Sequence, residues 1–156
     1  MSNPIVASVD PQADRVEAVA EGGRAVVMEL GEDGGPTPID ALVASLAGCT
    51  AMDVASILRK KRQSAATYEV AVEGDRAEEH PRVFTAIRVE HRVTGAVEPE
   101  ALRRAVELSA TTYCPVSAML SAVARLEHRY RLVDESGREH SAVVAVLGPG
   151  ERPGSA

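Results

Sequence analysis

The stretch GGPTPIDALVASLAGCTAMDVASILRKKR, residues 34–62, reads as one long helix with both ends marked. Thr37 is placed to cap it, Pro38 suits the first helical position, and Asp40 puts a carboxylate in the first turn, where the helix dipole favours negative charge. Apolar residues then recur with helical spacing at Ile39, Leu42, Val43, Leu46, Val54, Ile57 and Leu58. Arg59, Lys60, Lys61 and Arg62 bring cations to the last turn, the favourable sign for that end. This charge run reads as a solvated helix end rather than a nucleic-acid site. Gly48 interrupts the pattern at a cost of roughly 1 kcal/mol relative to alanine. That cost predicts that another element approaches closely beside Cys49.

Working outward, the segments on either side read as β. Upstream, Arg15–Ala20 and Ala25–Leu30 flank Glu21-Gly22-Gly23, a hairpin signal, and residues 31–36 form a turn-rich loop. Downstream, Tyr68, Val70 and Val72 alternate with Glu69 and Glu73. Val83, Thr85, Ile87, Val89, His91 and Val93 then share a face opposite Arg88, Glu90 and Arg92. Such period-two alternation predicts a half-buried antiparallel pair. A second helix starts at Glu98-Pro99-Glu100, and a short third one runs over Val116–Ala124. Two final strands follow, around Leu126–Leu132 and Ser141–Leu147. The order β-β-α-β-β-α-α-β-β is that of an α+β protein. With 156 residues, one domain over residues 1–148 is expected, followed by a disordered tail over 149–156.

Composition removes several function classes. Aromatic residues make up 3% of the chain, too few for a base-stacking surface, and the net charge of −6 opposes general attraction to phosphate. No uninterrupted uncharged run reaches the 18 residues expected of a membrane span, and the N-terminus lacks a signal-peptide pattern. Neither nucleic acid nor membrane is an expected partner, and the expected location is the cytoplasm, where structural disulfides are uncommon. The two cysteines are then the scarce reactive groups. His80, His91, His128 and His140 show no ligand spacing with them or with one another, which argues against zinc, and no metal or other cofactor is expected. His91 lies on the apolar face of its strand and reads as a satisfied core histidine. Cys49, in the helix interior, reads as a core position. Cys114 precedes Pro115 and falls at the N-cap of the third helix, a setting that favours a thiolate.

Two of these segments carry a resemblance. GGPTPIDALVASLAGCTAMDVASILRKKR resembles the first-cysteine helix of OsmC/Ohr proteins, and YCPVSAMLS (residues 113–121) resembles their second-cysteine segment. The strand pair DRAEEHPRVFTAIRVEHRVTG is similar to that of the OsmC-like, YhfA-like branch. The resemblance implies antiparallel sheets wrapped around central helices in an intertwined homodimer. It also implies a thiol peroxidase that reduces hydroperoxides, organic ones in the Ohr branch, without metal or organic cofactor. By motif position Cys49 is the peroxidatic thiol and Cys114 the resolving one, and an external dithiol of unknown identity closes the cycle. In the Ohr branch an N-terminal Arg and a Glu ten residues before the cysteine activate the thiol. Here that position is Ile39, the nearest acid is Asp40, and the candidate cations are Arg15 and Arg24. Two other readings remain open: a dimer of the same fold that binds an apolar small molecule with little turnover, and inert core cysteines.

Overall fold

The computed structural model describes residues 2–29 and 34–149. The chain forms two compact units, residues 1–44 and 45–156. The first carries a three-stranded antiparallel sheet of β1 (Ile5–Asp10), β2 (Arg15–Ala20) and β3 (Ala25–Glu29). The β2–β3 turn is the expected one: Gly22 and Gly23 adopt φ of 85° and 76°, which a β-carbon would oppose. Strand β1 was not evident from sequence. It is six residues long and lies close to Pro4 and Pro11, and its Ile5, Val6 and Val9 are exposed. The expected loop over residues 31–36 and tail over 149–156 lie partly outside the described residues.

Helix α1 (Pro38–Lys60) starts on a reciprocal cap. The Asp40 N–H donates to Thr37 Oγ1 at 3.2 Å, while the Asp40 carboxylate accepts from the Thr37 N–H at 2.8 Å and hydroxyl at 2.7 Å. Those hydrogen bonds hold the Asp40 carboxyl below its usual range. At the other end Arg62 takes φ of 56°, the Gln63 N–H donates to the Leu58 carbonyl and the Arg62 N–H to that of Arg59. This is a Schellman closure with arginine in the left-handed position that glycine usually fills. By length and composition α1 is apolar enough to cross a membrane, which corrects the expectation that no segment is. Asp53 breaks the uncharged run, but the residues around it keep the average apolar.

In the second unit, β4 (Ser64–Arg76), β5 (Phe84–Ala96), β6 (Arg125–Val133) and β7 (Glu139–Leu147) form one sheet in that order. Pairing is antiparallel except between β5 and β6, which run parallel. A parallel pair needs a crossover, and α2 (Pro99–Leu108), a π-helical turn (Ser109–Tyr113) and α3 (Pro115–Leu120) supply it. The core joins Val54 and Leu58 of α1, Leu102, Ala105 and Val106 of α2, and Val93, Tyr130 and Leu132 of the sheet. The inward face of β5 begins at Phe84. Thr85 is exposed and Val83, 55% exposed, lies outside the strand, so the expected face slips by one residue at its start. An irregularity at Asp75/Arg76, opposite this end of β5, accounts for the slip.

Candidate active site

Three elements of the second unit bring polar side chains together. On α1, Cys49 and Asp53 are four residues apart and therefore share a face. Thr50 belongs to the fully buried row Leu46, Thr50, Val54, Leu58. The second element is the π-helical turn after α2. Its i to i+5 hydrogen bond, Cys114 N–H to Ser109 carbonyl at 2.9 Å, sets Ser109 and Cys114 one wide turn apart. The third is α3, where Pro115 occupies the first helical position and Cys114 is the N-cap, as its sequence setting predicts. Cys114 Sγ accepts the Ser117 N–H at 3.3 Å and is 3% exposed.

The sulfurs of Cys49 and Cys114 and a carboxylate oxygen of Asp53 all lie within 4.8 Å of one another. Cys49 is half-buried, Cys114 buried, and both are free thiols. Burial, then the hydrogen bond and charge of Cys114, and least the charge of Asp53, push the Cys49 thiol up to about 11, while the Val116 backbone N–H works the other way. Both sulfurs thus receive N–H groups from the first turn of α3.

Behind Asp53 runs a directional chain of hydrogen bonds. The Ser109 hydroxyl donates to Asp53 Oδ2 at 3.0 Å. Ser109 has one proton to give, so the Thr50 hydroxyl, 2.9 Å away, donates to Ser109. Thr50 in turn is left to accept from His91 Nε2 across a long 3.5 Å contact, and His91 Nδ1 accepts from the Tyr68 hydroxyl at 2.7 Å. Every hydroxyl proton is used once, and the chain ends on the carboxylate. His128 stacks on His91, with ring centroids 6.1 Å apart, and meets the Ser117 hydroxyl at 3.2 Å. Burial, joined for His91 by the neighbouring His128, drives the pKa values of these imidazoles down to about 3 and about 4, respectively.

A cleft of about 550 Å³ opens onto Asp53 and is lined by Ser56, Ile57, Lys60, Lys61, Leu108 and Tyr113. The close approach predicted at Gly48 is not made among the described residues, since a β-carbon there would meet nothing within 4 Å. The other candidates lie in the first unit. Asp40 is engaged by Thr37, and Arg15 Nε donates to Glu29 Oε1 at 3.0 Å. The side chain of Arg24 has neither a hydrogen bond nor an ion pair among the described residues. Sequence reasoning missed Thr50, Asp53, Ser109, Ser117 and His128. Only the four-residue step from Cys49 to Asp53 and the inward parity of His128 on β6 were signals for them.

Known proteins share this sequence pattern and fold. The family model described as OsmC-like protein matches residues 31–129, a span that holds every side chain of the cluster. Protein YhfA of Escherichia coli K12 is 41% identical over 102 residues, covering 65% of this chain and 76% of that protein. A crystal structure of a hypothetical protein from Aquifex aeolicus VF5 superposes with a TM-score of 0.77 at 29% identity, over 86% of this chain and 98% of that one. An organic hydroperoxide resistance protein from Elizabethkingia anophelis shares the fold at a TM-score of 0.62 and 10% identity, over 86% and 97% of the two chains. The chain belongs to the OsmC-like protein family.

Proposed function

We propose that this protein is a cysteine-based peroxidase that reduces hydroperoxides, organic ones included. The observation that carries the reading is that the two sulfurs meet beneath the first turn of α3. The Cys49 thiolate attacks the O–O bond of ROOH, giving a sulfenic acid and, after protonation, ROH. The Cys114 thiol condenses with the sulfenic acid, releasing water and closing a disulfide. A dithiol then reduces that disulfide by exchange. Asp53, whose carboxylate lies within 4.8 Å of both sulfurs, also lines a cleft in which Ile57, Leu108 and Tyr113 suit the organic part of a peroxide.

A thiol held up at about 11 needs a cation to ionise near neutral pH. Of the two cationic candidates, Arg15 is engaged by Glu29, and the Arg24 side chain has neither a hydrogen bond nor an ion pair among the described residues. Arg15 and Arg24 both stay candidates for that cation, and Asp40 is the capping acid of α1. A homodimer in the cytoplasm is part of the same reading. The helix face bearing Gly48 and Met52, the latter 76% exposed, is apolar and open in the single chain. The raised Cys49 thiol favours the second reading, an OsmC-fold binder of small molecules with little turnover.

Consumption of cumene hydroperoxide and hydrogen peroxide with excess dithiol separates the two. Cys49→Ser abolishes turnover, and Cys114→Ser consumes about one equivalent and stops. Equal rates in wild type and Cys49→Ser would leave the binder.

A further inference from the structure

We propose that Cys49, Asp53 and Cys114 bind one thiophilic divalent cation of the zinc type while both cysteines are reduced. Asp53 supplies a ligand that the histidines do not, and α1 places it one turn from Cys49. Donors on a tetrahedral zinc, at about 2.0–2.3 Å from the metal, stand roughly 3.5–3.8 Å from one another. The three donor atoms here already lie within 4.8 Å of one another. Closing the site therefore takes a contraction of about 1 Å between donor atoms.

The surroundings suit a bound ion. Asp53 Oδ2 is held by the Ser109 hydroxyl, which leaves Oδ1 as the second oxygen of that carboxylate. Ser109 is itself held by Thr50, so the carboxylate has the kind of buried support that orients ligands in metal sites. The Cys114 sulfur is fixed by the Ser117 N–H. Two thiols and a carboxylate crowd one another here without a cationic side chain among them. A dication reverses that balance, displacing two thiol protons as it binds. Three protein ligands leave a fourth position for water, and the cleft at Asp53 provides an entry path past Lys60 and Lys61.

The site and the disulfide exclude each other. Oxidation of the loaded pair by a hydroperoxide converts two thiolates, ROOH and two protons into the disulfide, ROH and water, and the cation leaves as M²⁺. Metal binding does not depend on peroxide turnover, and its test involves none.

The test titrates the reduced, full-length protein with Co²⁺ and then displaces it with Zn²⁺. One equivalent of Co²⁺ gives sulfur-to-cobalt charge-transfer absorption and tetrahedral d–d bands, and Zn²⁺ binding releases about two protons. Cys49→Ser and Cys114→Ser each roughly halve the charge-transfer band. Asp53→Asn weakens binding by at least tenfold, and Ser109→Ala by about tenfold, the effect expected for an orienting partner. The disulfide form binds no Co²⁺. Absence of charge transfer, or binding in Cys49→Ser equal to wild type, overturns the proposal. Unchanged affinity in Asp53→Asn overturns it too, and that half-exposed position keeps the test valid if a cysteine variant does not fold.

Discussion

Two groups of titratable side chains sit at the two ends of one polar cluster, and burial treats them alike. At the thiol end Cys49 is pushed up to about 11; at the imidazole end His91 falls to about 3 and His128 to about 4. One is an acid and the others are bases, so opposite shifts have the same meaning: the uncharged form is held. The ends differ in access. His91 and His128 are fully buried, whereas at the thiol end Asp53 lines a cleft, Cys49 is half-buried and the sulfurs receive two backbone N–H groups of α3. Charge is thus disfavoured at both ends, and only the thiol end has partly exposed groups through which a cation could offset it.

The sharpest way to break this comparison is acid. For a base whose folded pKa lies below its unfolded value of about 6.5, the unfolded chain binds more protons as pH falls. Stability is fully present above about 6.5 and is lost as pH drops toward the folded values of about 3 and about 4. With two such histidines the loss approaches about 2 kcal/mol per pH unit once below pH 6. Urea unfolding at pH 7, 6 and 5 measures it, and His128→Asn should remove about half of the slope. A wild-type slope near zero in this window would mean that the imidazole end charges without cost. Carboxylates with lowered values, such as Asp40 and Asp75, titrate below it and do not blur the reading.

The chain joining the two ends can be cut at Thr50. Valine there keeps the shape but leaves the His91 N–H without its acceptor and Ser109 without its donor. Leaving buried polar groups unpaired costs about 1–3 kcal/mol. Thr50→Val should therefore lower the urea midpoint at constant m-value. A neutral or stabilising result would show that the long 3.5 Å contact carries no energy.

Why Thr50 escaped the sequence reading is instructive. The helix containing it was legible because caps, apolar spacing and terminal charges act locally: Thr37, Pro38, Asp40 and Arg59–Arg62 each report on their own turn. The strands were legible from parity, which put His91 and His128 on the inward face. Cys114 at its cap followed from Pro115 alone. A threonine between Cys49 and Ala51 carries no such local signature, since its role depends on Ser109 and His91, far away in sequence and brought close only by the crossover and the sheet. Ser109 depended on the π-helical turn, which no residue pattern in SATTY announces. Strand β1 was missed for another reason, because its apolar residues face no core within their own sheet to impose a pattern.

The smallest effect tests which neighbour holds the thiol end uncharged. Cys114 raises the Cys49 pKa through a hydrogen bond and through charge, and both count for more than the charge of Asp53. Cys114→Ala should therefore lower the Cys49 pKa more than Asp53→Asn does, with burial keeping both variants above an ordinary thiol. The readout is the pH dependence of iodoacetamide alkylation at Cys49, followed by mass spectrometry of its peptide. Below the pKa each half-unit fall raises the thiolate fraction about threefold. If Asp53→Asn gives the larger rise, the carboxylate rather than the second sulfur sets the state of Cys49. Neutralising Asp53 would then be the main electrostatic step in activating Cys49. If Cys114→Ala gives the larger rise, the second sulfur rather than the carboxylate holds its neighbour protonated.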